Sequence, residues 1–257
     1  MDTDAPLPAL PDEPFPEYEI AALARRARRA GGPLMALLTK LGGTLENRLA
    51  LLPDPVRAQI DKATLVALER AFAVAKLGRH APDLGAAAAP VTAALAGAAG
   101  GAGGLATSVA ELPVTITLIL HAIRGAAEEA GFDPDEEWVR AEILRIFASG
   151  SPMAADDGVN TAFIGARLTL TGPALQRLIA TLAPKIAVAM GQKLAAQAVP
   201  VLGALSGAAL NATFLSHYRE LARIRFALLK LAASHDPDKV MQRFAEAAHV
   251  RPLLTSG

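Results

Sequence analysis

The 257-residue sequence has no cysteine, and aromatic residues make up only 4% of it. Without cysteine there are no disulfides, thiol nucleophiles, zinc–thiolate sites or iron–sulfur clusters. Neither sign of charge is in excess, with 25 basic residues against 25 acidic ones and a pI near 7.0. A general nucleic-acid binder needs a basic surplus to neutralise phosphates, so that class is excluded and no nucleic-acid partner is expected. Phosphate-cradling motifs are missing too. The run Gly100-Gly101-Ala102-Gly103-Gly104 is not followed by the Lys-Ser/Thr pair of a P-loop, nor preceded by the strand of a dinucleotide fold. None of His80, His121, His217, His235 and His249 has another His or a carboxylate at a zinc-site spacing, so no metal and no cofactor are expected.

What is abundant is alanine, roughly a fifth of the chain, and alanine has the highest helix propensity because its burial loses no side-chain entropy. The fold class expected is all-α. Mean hydropathy is +0.32, high for a chain whose apolar residues are mostly Ala, Leu and Val. Either helices pack closely through small side chains, or part of the surface meets lipid. The length suits one large domain or two small joined ones, and a single multi-helix domain over residues 17–257 is expected.

Residues 1–16 hold Pro6, Pro8, Pro11, Pro14 and Pro16 among Asp2, Asp4, Asp12 and Glu13, with no basic residue. This composition predicts a disordered acidic arm. It lacks the basic stretch and apolar run of a secretory signal, so a cytoplasmic location is expected.

Proline marks helix starts, because its fixed φ and missing N–H suit the first helical position. Candidates are Pro33, Pro55, Pro113, Pro134, Pro173, Pro200 and Pro237. Asp54, Asp133 and Asp236 each precede one as a capping carboxylate, and Asp133 with Glu136 has the spacing of a capping box. Helical stripes run through Val56, Ile60, Ala63, Ala67, Ala71 and Val74, and through Val139, Ile143, Ile146 and Phe147.

Two segments, residues 84–110 and 194–216, carry no charge. Each is longer than the roughly 20 residues that span a bilayer, yet Gly and Pro interrupt both and Ala gives little drive for insertion. The expectation is a pair of buried, small-residue-rich helical segments. Glu111 bounds the first, and carrying that carboxylate into lipid tails would cost several kcal/mol, which favours peripheral docking over insertion.

The sharpest charge run is Arg25, Arg26, Arg28 and Arg29, near the end of a helix expected to begin around Glu17. Cations there complement the negative end of the helix dipole, and they would also attract anionic headgroups at about 1 kcal/mol each. His217 falls on the stripe Leu210, Phe214, His217, Leu221, Ile224, Leu228, which predicts an inward-facing ring. It is the weak candidate for a catalytic base, beside the acids Asp133, Asp135, Glu136, Glu137 and Glu142. Those acids also fit helix capping. Ser206 lacks the G-x-S-x-G spacing of a nucleophile elbow and reads as a packing residue.

Several motifs occur together in order. They are Lys40-Leu-Gly-Gly-Thr-Leu-Glu-Asn47, Leu52-Pro53 before the Pro55 helix, the Gly-rich stretch leading to Glu111-Leu112-Pro113, the Gly131-Phe132-Asp133-Pro134-Asp135 turn, and Val199-Pro200-Val201-Leu202-Gly203 through Asn211. Over residues 20–233 the chain resembles the EcsC family. The resemblance implies a bacterial helical protein tied by gene neighbourhood to an ABC transporter, with no agreed catalytic residues to transfer. The expected function is a non-enzymatic accessory protein at the inner face of the cell membrane. It would bind anionic lipid or a membrane protein through Arg25, Arg26, Arg28 and Arg29, with Glu111 limiting insertion. A hydrolase built on His217 and a soluble helical scaffold are the alternatives.

Overall fold

The computed structural model describes residues 14–30, 54–76, 104–149, 172–197 and 207–249. Seven helices run through them: α1 (Glu17–Arg29), α2 (Asp54–Lys76), α3 (Gly104–Glu129), α4 (Glu137–Ser149), α5 (Gly172–Gln197), α6 (Gly207–Ser234) and α7 (Pro237–His249). No strand occurs among the described residues, and the fold is all-α.

Three of the proline signals mark helix starts. Pro55 and Pro173 are the second residues of α2 and α5, and Pro237 opens α7. Asp236 caps α7, its carboxylate accepting the backbone N–H groups of Asp238 at 3.0 Å and Lys239 at 3.3 Å. Pro113 does not start a helix; it lies inside α3, which begins at Gly104. An internal proline removes one backbone bond and costs about 3 kcal/mol. Burial of its neighbours Leu112 and Ile116 offsets that cost. Pro134 sits in a turn, and α4 starts at Glu137. The expected capping box is not formed: the Asp133 carboxylate accepts the Asp135 N–H at 2.9 Å, two residues short of the helix. The carbonyl of Glu136 instead accepts the first helical bond, from Arg140 at 2.9 Å. Pro33 and Pro200 lie outside the described residues.

The turn between α3 and α4 depends on Gly131, whose φ of 90° suits a residue without Cβ. There the Gly131 N–H donates to the Glu128 carbonyl at 2.9 Å and the Phe132 N–H to the Ala127 carbonyl at 3.0 Å. These two bonds make a complete Schellman motif. The turn sets Phe132 edge-on to Trp138 at 5.4 Å and against Phe226 at 5.5 Å.

Two apolar clusters follow from the helical stripes. The larger joins α2, α3, α4, α5 and α6 through residues such as Ile60, Ile116, Phe147, Ile186 and Phe214. The smaller packs Ile20 and Leu23 of α1 and Val240 and Phe244 of α7 on Ile224 and Leu228 of α6. Helix α6 therefore belongs to both. Of the stretch expected to be a disordered arm, residues 1–13 lie outside the described residues. Phe15 packs on the smaller cluster, edge-on to His235 at 5.7 Å.

No described helix is long and apolar enough to cross a membrane. Of the two uncharged segments, residues 84–103 and 198–206 lie outside the described residues. Glu111 falls within α3, with its side chain outside those described.

Candidate functional site

Helix α1 is amphipathic, with Glu17 and Glu19 in its first turn and Arg26, Arg28 and Arg29 in its last. Ile20, Leu23 and Ala24 are buried, which leaves Tyr18, Arg25 and Arg29 on the exposed side at helical spacing. Tyr18 is 80% exposed, and the Arg25 guanidinium lies over its ring at 5.9 Å.

Two of the other cluster arginines, Arg26 and Arg28, have tertiary partners. Arg26 donates from Nε to Glu220 Oε1 at 2.7 Å and from Nη2 to Oε2 at 3.0 Å, a bidentate pair that ties α1 to α6. Arg28 donates to the Ala247 carbonyl in the last turn of α7. Arg29 has no carboxylate partner among the described residues.

Beside the Arg26–Glu220 pair lies a cleft of about 400 Å³ lined by Arg26, Arg29, Ser216, Arg219, Glu220 and Arg223. On α6 the last three are three, four and seven residues from Ser216 and so share one face with it. A further carboxylate, Glu129 at the end of α3, braces this face. It accepts Arg219 Nη2 at 2.8 Å, Arg223 Nε at 2.8 Å and Arg223 Nη2 at 3.2 Å. The hydrogen bonds from Arg223, then those from Arg219, hold the Glu129 carboxyl down at about 2. Glu129 is thus ionised at neutral pH, although a carboxylate at a helix C-terminus faces the unfavourable end of the dipole.

The lowered value predicts an acid-stability signature. A carboxylate whose folded pKa is depressed stabilises the fold above its unfolded pKa and loses that contribution as pH falls through the folded one. The window here runs from about 4.5 down to about 2. Glu129 is 43% exposed, so screening limits its contribution to about 1 kcal/mol or less. Glu129→Gln should lower stability by that amount at pH 7 and converge with the wild type below pH about 2, read by chemical denaturation across pH. Equal stability of the two proteins at every pH would remove the bracing role.

The cleft does not gather the residues of the hydrolase alternative. His217 is half-buried on α6, its ring edge-on to Tyr218 at 5.7 Å, and it does not line the cleft. Three of the acids named beside it have side-chain partners. Asp135 accepts Arg124 at 3.1 Å and Arg140 at 3.4 Å, Glu136 accepts the Trp138 indole N–H, and Glu142 accepts Arg225 at 2.5 Å and Arg145 at 3.3 Å. No group of three or more His, Asp or Glu placed to hold a metal ion occurs among the described residues.

The EcsC protein family model matches residues 58–228. The chain belongs to the EcsC family. No curated protein and no solved structure matches it. The EcsC region contains Glu129, Arg219, Glu220 and Arg223, whereas Arg26 and Arg29 precede it. One wall of the cleft is thus built from the EcsC region and the other from α1.

Sequence reasoning missed Arg219, Glu220, Arg223 and Glu129. A signal was present in Glu128-Glu129, two acids placed where a helix dipole disfavours them, which called for cations from elsewhere in the chain.

Proposed function

We propose that this EcsC protein is a non-enzymatic accessory protein that docks peripherally on the cytoplasmic face of the cell membrane by binding anionic lipid. The observation that carries the reading is the outward stripe of Tyr18, Arg25 and Arg29 on α1. An amphipathic aromatic ring at headgroup level beside two cations suits a membrane–water interface. The chain as a whole is neutral, so attraction must come from this local surface rather than from net charge. Membrane-embedded partners, with ABC transporters as the class suggested by the family resemblance, would then meet the protein at the same surface.

Sedimentation with vesicles tests the reading. Anionic vesicles should bring the protein down at low salt, neutral ones should not, and added salt should release it. Arg25 and Arg29 should each contribute about 1 kcal/mol, so the double replacement by Ala should weaken binding about thirtyfold. Arg26 and Arg28 are poorer tests, because each also ties α1 to its neighbours. A protein that stays in the supernatant with anionic vesicles but sediments with native membranes would assign the docking to a membrane protein instead of lipid.

A further inference from the structure

Four arginines, Arg26, Arg29, Arg219 and Arg223, line the cleft between α1 and α6. Two carboxylates oppose them, Glu220 and Glu129. The formal surplus is two positive charges. The C-terminal end of α1 contributes roughly half a negative charge and does not cancel it. We propose that this cleft binds the dianion of a phosphate monoester.

Three features set the ligand class. The carboxylates engage only part of the planar fork of donors on Arg26, Arg219 and Arg223, leaving N–H groups for a further acceptor. Guanidinium forks match phosphate oxygens bidentately, and a monoester with its second ionisation near pH 6 offers three terminal oxygens and close to two charges. A diester or a carboxylate brings one charge and leaves the other uncompensated. The volume of about 400 Å³ lies at the small end of ligand pockets and suits a headgroup better than a nucleotide.

The carboxylates also act before any ligand arrives. Glu220 fixes Arg26, and Glu129 fixes both Arg219 and Arg223. Three of the four cations are thereby preorganised, which lowers the entropy lost on binding. Arg29, with no carboxylate partner among the described residues, is the cation available to close on the ligand.

The proposal deepens the membrane reading and takes from it only the source of the phosphate, a phosphomonoester lipid; a soluble phosphomonoester offers the same chemistry. Calorimetry of the full chain with glycerol 3-phosphate tests the soluble source. Vesicles of phosphatidylcholine carrying either phosphatidic acid or phosphatidylglycerol, matched in surface charge, test the lipid source. The expected result is binding of glycerol 3-phosphate, a preference for phosphatidic acid, or both. Arg29→Ala should weaken that binding about tenfold, while Arg177→Ala on α5 leaves it unchanged. Soluble binding without vesicle binding supports the cleft and overturns the membrane reading. Equal, salt-sensitive binding to both lipids with no glycerol 3-phosphate bound overturns the cleft proposal and leaves the membrane reading standing. Binding that Arg29→Ala does not weaken also overturns it, with circular dichroism verifying that the variant is folded.

Discussion

Arg225→Met should destabilise the fold by about 3–5 kcal/mol, because it strands a buried carboxylate. Glu142 on α4 and Arg225 on α6 are 5% and 9% exposed and meet at 2.5 Å. Arg145 reaches the other oxygen of Glu142 at 3.3 Å, from an i,i+3 position on the same helix. Removing Arg225 leaves Glu142 desolvated with one weaker partner, and the cost is that of an uncompensated buried charge. The pair itself is not expected to add much net stability, since desolvating both ions offsets most of their attraction. The double replacement Arg225→Met with Glu142→Leu should therefore recover most of the loss. Urea denaturation of the two single variants and the double closes the cycle. A single-variant loss under about 1 kcal/mol would mean that water reaches the pair and that its burial is not energetically felt.

How much of this was legible in the sequence depended on the range of the contact that decides it. The α2 and α4 stripes are local patterns, and Ile60, Ala67, Val139, Ile143, Ile146 and Phe147 are all buried as their period demands. The same logic placed Phe214, Leu221, Ile224 and Leu228 inward on α6. Proline as a start signal worked where no stronger burial opposed it, at Pro55, Pro173 and Pro237. It misplaced Pro113, because apolar neighbours held α3 together across the break. The partners of charged residues were not legible. Arg26 meets Glu220 across 194 residues of sequence and Arg225 meets Glu142 across 83, and no local pattern encodes either pairing. Lys193 is fully buried, its Nζ donating to Thr115 Oγ1 at 3.4 Å, and nothing in the composition of α5 marks it. The arginine run was visible as a binding candidate, but only the fold shows that two of its four members face the cleft. The opposing wall, Arg219 and Arg223, lies on the polar side of α6, where charges at helical spacing are also what any solvated face carries.

Phe147→Ala should cost about 3–5 kcal/mol, the range for truncating a large aromatic side chain in a packed core. Phe147 is fully buried on α4 and meets the Tyr218 ring of α6 edge-on at 5.1 Å. Truncation removes both the buried area and the aromatic contact, and the backbone of two packed helices cannot collapse fully into the gap. Tyr218→Phe, on the other side of the same contact, should act in the opposite direction. The Tyr218 ring is fully buried, and its hydroxyl has no hydrogen-bond partner among the described residues. Burial pushes its phenol far above the usual range. Deleting that hydroxyl relieves a desolvated polar group while keeping the ring, so a gain of about 1 kcal/mol is expected. Opposite signs at touching residues separate apolar packing from polar strain, which a single truncation does not. The pair also reports on the cleft, because α6 carries Phe214 and Tyr218 on its buried side and Arg219 and Arg223 on its charged one. Phe147→Ala should loosen the seat of that charged face and weaken vesicle binding in proportion to the folded fraction lost. Tyr218→Phe should leave vesicle binding unchanged. Thermal and urea denaturation give the stability signs, and vesicle sedimentation of the same samples gives the second readout. A Phe147→Ala protein within about 1 kcal/mol of wild type would show that the α4–α6 contact is not part of the packed core.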